Sequence, residues 1–213
     1  MYKYGLRVYY ITKAIARVLL QLLFGLRVEG AEKIPRAGPV IIASNHISIM
    51  DPVVMGLACP RVVSYMSRDD VFRYPFLSWL LPRLYAIPVS RGAGDLGAIK
   101  AAIRTLKSGA AFGIFPEGRR SRTGAIEPFK TGTAAIALRT NAPIVPAAII
   151  GSDKAWPLGK GPRLRRPIRV VFGDPITLMP GKTDHQTLEE VTRQLEAAVT
   201  ALLPVEYHRK PIV

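Results

Sequence analysis

Three short runs of this chain bring together side chains able to move protons and to hold an anion. The first is Ser44-Asn45-His46-Ile47-Ser48-Ile49-Met50-Asp51-Pro52. A carboxylate that accepts one imidazole N–H fixes the ring tautomer and leaves the other nitrogen free to take a proton from a substrate hydroxyl. On one continuous helix, His46 and Asp51 would diverge by about 140° at 3.6 residues per turn. Asp51-Pro52 reads instead as a helix start, with Asp51 as N-cap and Pro52 at the first helical position, where its missing N–H costs nothing. His46 then lies in the preceding loop, within reach of a carboxylate on a chain that folds back. The spacing alone is weak, and by itself reads more readily as a capping residue beside an ordinary loop histidine. His185 and His208 have no such company and read as surface residues.

The second run, Phe115-Pro116-Glu117-Gly118-Arg119-Arg120-Ser121, suits a phosphate. Arginines fork onto phosphate oxygens, and a glycine lets backbone amides approach. Glu117 needs a partner of its own there, a substrate hydroxyl or a nearby arginine. Taken alone, the run reads more readily as a polar turn with a solvated basic face. The third run, Ile87-Pro88-Val89-Ser90-Arg91-Gly92, delivers Arg91 and is uninformative by itself.

A parallel sheet would bring these runs together. Each follows or ends an apolar stretch of strand type: Val40 to Ala43, Ala110 to Phe115 and Leu84 to Ser90. Arg61 to Met66, Ile144 to Ile150 and Ile168 to Phe172 read as further strands. Helical patterns lie between them. One starts at Asp95 as N-cap and stops at Gly109, and another runs from Thr131 to Thr140 with Asn141 at its end. A last one runs from Asp184 to Leu203, with Leu188, Val191, Leu195, Val199 and Leu202 as its buried stripe. The alternation predicts an α/β fold, a sandwich of helices around a central, largely parallel or mixed sheet. Such sheets place ligands at the carboxyl ends of their strands, where all three runs would meet. The segment from Tyr74 to Leu84 is rich in large apolar residues and reads as core or as the wall of an apolar ligand channel.

The rest of the chain bounds its partners. At 213 residues it suits one domain with an appendage, here an amphipathic helix over 1–28 followed by a domain over 29–213. On a helical wheel Tyr4, Val8, Ile11, Ile15, Val18, Leu19, Leu22 and Leu26 share one face, with Lys3, Arg7, Lys13, Arg17 and Gln21 opposite. An apolar stripe beside a basic face predicts a helix lying in a membrane interface, its cations on anionic lipid; packing on the domain core is the plainer alternative. No segment reaches the roughly 18 consecutive apolar residues of a spanning helix. Lys and Arg outnumber Asp and Glu 30 to 15, a net charge of +15 that draws polyanions. Nucleic acid is disfavoured, because only Trp156 accompanies the basic group Lys154, Lys160, Arg163, Arg165, Arg166 and Arg169. That group suits lipid head groups, the phosphates of an acyl carrier, or plain surface charge. The single cysteine, Cys59, excludes an internal disulfide, reads as a small buried hydrophobe and fits a reducing compartment. Neither a Gly-x-Ser-x-Gly elbow nor a His/Cys cluster of zinc spacing is present.

In their order and separation these runs resemble the motif blocks of the 1-acylglycerol-3-phosphate acyltransferases and their glycerol-3-phosphate acyltransferase relatives, from roughly Val28 to Pro175. The blocks are Asn45-His46 through Asp51 with Ser48 between them, Ile87 through Arg91, Phe115 through Ser121, and Ala142-Pro143-Ile144-Val145-Pro146. The resemblance implies transfer of a fatty acyl group from acyl-CoA or acyl-carrier protein to a lysophospholipid hydroxyl, with no cofactor, metal or covalent enzyme intermediate. The favoured acceptor is 1-acylglycerol-3-phosphate, which would give phosphatidic acid in phospholipid synthesis. It implies His46 as base and Asp51 as its orienting partner. Arg91, Glu117, Gly118, Arg119, Arg120 and Ser121 would form the acceptor site, with Asn45 and Ser48 beside it. Many members have Thr where this chain has Arg119, so either the acceptor site carries an extra cation or that side chain points away. A thioester is already activated, so a deprotonated alcohol and a stabilised oxyanion suffice, and amides near the start of the Pro52 helix are candidate donors. The expected location is a membrane surface on its cytoplasmic face, peripheral or monotopic. The rival readings are an acyltransferase for a different lysolipid or hydroxylated lipid, and a basic membrane-binding module with no catalysis.

Overall fold

The computed structural model describes residues 6–89, 94–178 and 184–209. Along the chain lie helix α1 (Leu6–Phe24), strands β1 (Arg27–Glu29) and β2 (Val40–Ser44), helix α2 (Asp51–Ala58), strand β3 (Val63–Arg68) and helix α3 (Pro75–Leu80). Strand β4 (Ala86–Val89), helix α4 (Gly94–Lys107), strand β5 (Ala111–Ile114) and helix α5 (Gly132–Thr140) follow. Strand β6 (Ile144–Ile150), helix α6 (Ser152–Ala155), strand β7 (Arg169–Phe172) and helix α7 (His185–Leu202) complete the order. The strands form one sheet in the order β1-β7-β6-β2-β5-β3-β4. All neighbours are parallel except β6 and β7.

That single reversal decides what shares an edge with the motif runs. Strands β2 to β6 point their carboxyl ends to one edge, whereas β7 and its parallel neighbour β1 begin there. The end of α1, which leads into β1, and the whole β6–β7 connection therefore lie at the same edge as the loops after β2 and β5.

Both faces of the sheet are buried, which is why β2 reads as an unbroken apolar run. Successive residues alternate between the two cores. Ile42 packs with Leu20, Phe24, Val54, Met55 and Val145 under α1 and α2. Ile41 packs with Leu106, Phe112, Ile136, Leu195 and Val199 under α4, α5 and α7. The expected stripe of α7 is present, and Asp184 caps that helix by accepting the Thr187 amide at 2.9 Å. Asn141 ends α5 in the left-handed region, with φ 50°.

Several expectations are corrected. Asp95 lies inside the first turn of α4, not ahead of it. Strand β1 was not foreseen, since a stretch so short shows no periodicity; it carries the chain across the expected boundary at 28/29 into the sheet. The Tyr74 to Leu84 segment folds as α3 and a 3-10 turn; among its described side chains none is buried, and Tyr74 and Trp79 lie largely in the open, while those of Phe76, Leu77 and Leu80 lie outside the described residues.

Helix α1 has two unlike faces. Ala16, Leu20 and Phe24 pack on the core, and Lys13 donates from Nζ to the carbonyls of Cys59 and Arg61, so Lys13 faces inward and not toward lipid. On the far side Ile11, Ile15, Val18, Leu19 and Leu22 are exposed, by 75% for Leu22. Leu26, expected in that stripe, follows the helix and is buried. Among the described residues no helix is long and apolar enough to cross a membrane.

Candidate active site

His46 lies two positions past the end of β2, in a loop pinned from several directions. Its Nδ1 lies 2.8 Å from Asp51 Oδ2. The same oxygen accepts the amides of Ile47 at 2.6 Å and Ser48 at 2.7 Å. A carboxylate in that position is an acceptor only, so Nδ1 donates to it, and in the neutral ring Nε2 is the nitrogen with the free lone pair. Asp51 is the first residue of α2, and its side chain turns back over the loop and does not cap its own helix. The chain folds back, one of the two arrangements the spacing allows, and its amides hold the turn. Those of Ile47 and Ser48 point at Asp51, and that of Val54 at the Met50 carbonyl, which removes all three as oxyanion donors.

The loop after β5 is welded to His46 through the backbone. The His46 N–H donates to Glu117 Oε1 at 2.9 Å, and the Ser121 N–H donates to the His46 carbonyl at 2.8 Å. The imidazole stacks on Phe115, with ring centroids 4.2 Å apart and planes 20° apart. Beyond Phe115 the ring of Tyr65 lies against Gly113, where an added Cβ would come within 2.0 Å of it. Residues from neighbouring parallel strands thus form one wall behind the histidine.

Glu117 is buried, and its Oε2 has no hydrogen-bond partner among the described residues. Burial pushes its carboxyl up to about 8, against the His46 amide, which favours ionisation, and with the nearby charges of Glu127 and Asp51. Near neutral pH it therefore holds a proton and can offer an O–H.

The remaining expected site residues divide. Gly118 turns the loop at φ 71°, with the Lys130 side chain across the space a Cβ would fill. Arg119 points away: its Nε donates to Glu127 Oε2 at 2.6 Å at the surface. Arg120 is half-buried and makes no ion pair with a described residue. Arg91 lies outside the described residues. Asn45, expected beside the acceptor, is a structural clamp, with Nδ2 donating to the Ile149 carbonyl at 2.9 Å and Oδ1 accepting the Ile149 amide at 2.8 Å. Ser48 is likewise committed, donating to the Trp156 carbonyl at 3.2 Å. Both are almost wholly buried and face protein, not an open site.

One residue at this centre has no counterpart in the sequence reading. Ser152 Oγ donates to Asp51 Oδ1 at 2.6 Å, and both side chains are fully buried. It is held from outside by Tyr207, whose hydroxyl accepts the Gly151 amide at 3.0 Å and donates to Asp153 Oδ1 at 3.0 Å. Ser152 lies only a few residues beyond the Ala142 to Pro146 block, and a polar residue at the carboxyl end of a buried strand was the available signal.

Other titratable groups stand apart. Cys59 is buried, and burial pushes its thiol up, which removes it as a nucleophile. His208 Nε2 lies 2.9 Å from the Leu203 carbonyl at the end of α7, and His185 pairs with Glu189 at the surface. Among the described residues no three His, Cys, Asp or Glu side chains are grouped to hold a metal ion.

A family model described as Acyltransferase matches residues 25–150. The 1-acyl-sn-glycerol-3-phosphate acyltransferase of Bacillus subtilis is 31% identical over 75% of this chain and 78% of its own length. A chloroplast 1-acyl-sn-glycerol-3-phosphate acyltransferase of Brassica napus is 28% identical over 79% of this chain, which spans about half of that longer protein, 50%. The crystal structure of the 1-acyl-sn-glycerophosphate acyltransferase PlsC from Thermotoga maritima superposes with a TM-score of 0.74 at 25% identity, covering 92% of this chain and 78% of that one. The match includes every strand from β2 to β6 and both loops that meet at His46, and the chain belongs to the acyltransferase family that holds the 1-acyl-sn-glycerol-3-phosphate acyltransferases.

Proposed function

We propose that this protein transfers a fatty acyl group from an acyl-CoA or acyl-carrier-protein thioester to the free hydroxyl of 1-acylglycerol-3-phosphate, releasing phosphatidic acid and the free thiol. The observation that carries the reading is His46, its Nδ1 held on Asp51 so that Nε2 is the ring nitrogen left for a substrate, set beside the Glu117 to Arg120 loop. Nε2 takes the proton of the acceptor hydroxyl as its oxygen attacks the thioester carbon. The tetrahedral adduct collapses with loss of the C–S bond, and the imidazolium returns the proton to the leaving thiolate. No covalent enzyme intermediate or metal enters this sequence. Arg120 is the cation best suited to the acceptor phosphate, with Arg91 the second by family resemblance, and the protonated Glu117 carboxyl can donate to a phosphate or glycerol oxygen. Pairing of Arg119 with Glu127 supports this acceptor, because the site then gains no extra cation from the departure at that position.

The exposed stripe of α1 supports work at a membrane interface. Its apolar side chains face away from a core that the opposite side of the helix already covers, so core packing does not account for them. We place the protein on the cytoplasmic face, where the buried, unpaired Cys59 is at home.

The test is an acyl-transfer assay with purified protein, both donor types and a panel of lysolipids. Lysophosphatidate should be acylated most efficiently, and His46→Ala should lose turnover while still binding vesicles. Near wild-type turnover in that variant would sink the mechanism; preference for a lysolipid with another head group would move the acceptor.

A further inference from the structure

We infer that the β6–β7 connection, residues 156–167, is a second lipid-contacting element, one that docks on the head groups of an anionic bilayer and sets the catalytic edge against it. The inference rests on the membrane reading of α1 and goes beyond it by assigning a separate, electrostatic contact.

Of the basic group seen in the sequence, two members are engaged elsewhere: Lys154 lies over the Tyr207 ring, and Arg169 pairs with Glu29 at 2.8 Å. Lys160, Arg163, Arg165 and Arg166 remain, all exposed and without an ion pair to any described residue. Among them Trp156, Leu158 and Leu164 present apolar surface to solvent. Unpaired cations interleaved with a Trp and leucines fit a lipid interface, where the apolar groups enter and the cations meet phosphates. Arg165 is moreover held at φ 58°, a backbone that favours glycine, by donation of its amide to the Leu23 carbonyl at 2.7 Å.

Position supplies the second argument. That bond, with Ile168 N–H on the Phe24 carbonyl at 3.2 Å, lays the connection against the end of α1, beside exposed Leu22 and Leu23. At its other end the Trp156 carbonyl accepts Ser48 Oγ from the histidine loop, where Ile49 and Val53 are also bare. An apolar and basic strip thus runs from α1 across the connection to the mouth of the His46 site. A bilayer against it would meet the site that must take a lipid acceptor.

The experiment uses the full chain with Lys160→Gln, Arg163→Gln, Arg165→Gln and Arg166→Gln combined, on vesicles of phosphatidylcholine with or without phosphatidylglycerol. A cation at an anionic surface contributes roughly a fivefold gain in partitioning. The variant should therefore lose roughly tenfold or more of its binding to phosphatidylglycerol vesicles, together with most of its salt dependence. Binding to neutral vesicles should be unchanged, as should turnover of a water-soluble short-chain lysophosphatidate. A companion with Arg163→Lys, Arg165→Lys and Arg166→Lys should bind as wild type, separating charge from damage to the loop. Undiminished binding of the Gln variant to anionic vesicles would overturn the inference while leaving α1 as anchor. So would a defect confined to reactions with acyl-carrier protein, since the surface would then belong to the donor. If the wild-type protein binds neither vesicle, the membrane reading itself falls.

Discussion

Ser152 Oγ stands 2.6 Å from Asp51 Oδ1, on the carboxylate oxygen that His46 does not use. The two oxygens of Asp51 have separate tasks. Oδ2 gathers the imidazole and the loop amides, and Oδ1 is tied to the strand that ends two positions away. A fully buried carboxylate needs such donors to stay ionised and aimed. On the proposed mechanism Ser152 is thus a positioning residue, acting on His46 through Asp51.

Ser152→Ala removes a hydrogen bond to a buried charge, a loss of about 1.5–3 kcal/mol, which corresponds to roughly ten- to hundredfold in rate if it falls on the transition state. The expected outcome is a drop of that size in kcat with KM for lysophosphatidate nearly unchanged. Ser152→Thr should restore most of it. A fall in stability without a fall in kcat, measured on purified protein, would reduce Ser152 to a packing residue.

Arg119→Thr should leave KM for lysophosphatidate and kcat within about twofold of wild type, because a surface ion pair of this kind contributes about 0–1 kcal/mol and the Arg119 side chain itself is turned onto Glu127. Arg120→Ala should raise KM by roughly tenfold or more, the scale of a lost charge-assisted contact. Steady-state kinetics on the two variants separates them.

Burial holds the Glu117 carboxyl up to about 8, so between about 4.5 and 8 the folded protein keeps a proton that the unfolded chain releases. Stability is therefore fullest below the unfolded value, falls as pH rises through this window and levels off above it, by an amount on the order of a few kcal/mol. Glu117→Gln cannot ionise and should flatten the curve. Denaturant midpoints taken from about pH 5 to pH 9 report the difference; parallel curves for the two proteins would contradict the assignment.

Outward and inward faces of α1 should respond differently. Ile15→Glu with Leu22→Glu should abolish binding to neutral vesicles with little change in Tm, since both side chains are exposed. Leu20→Ala, buried on the core, should cost about 2–5 kcal/mol in denaturant unfolding and leave the exposed stripe in place.

By itself the sequence determined what depends on near neighbours. The six apolar runs became strands within a residue or two because burial on both faces or alternation is written into consecutive positions. The motif runs fell at strand ends, and the short path from His46 to Asp51 had to turn back, since a helix would have separated the two. Tertiary structure decided what depends on residues far apart in the chain. Asn45 reaches Ile149, Ser48 reaches Trp156 and Asp51 reaches Ser152, each across more than a hundred positions, 104, 108 and 101. No local period encodes such pairs. They exist because parallel packing sets the end of β2 beside the end of β6, and a buried amide, hydroxyl or carboxylate there must find a partner. Within the loop after β5 the chain turns Arg119 onto Glu127, and only the reversed β7 could bring α1 and the basic connection to the edge that carries His46.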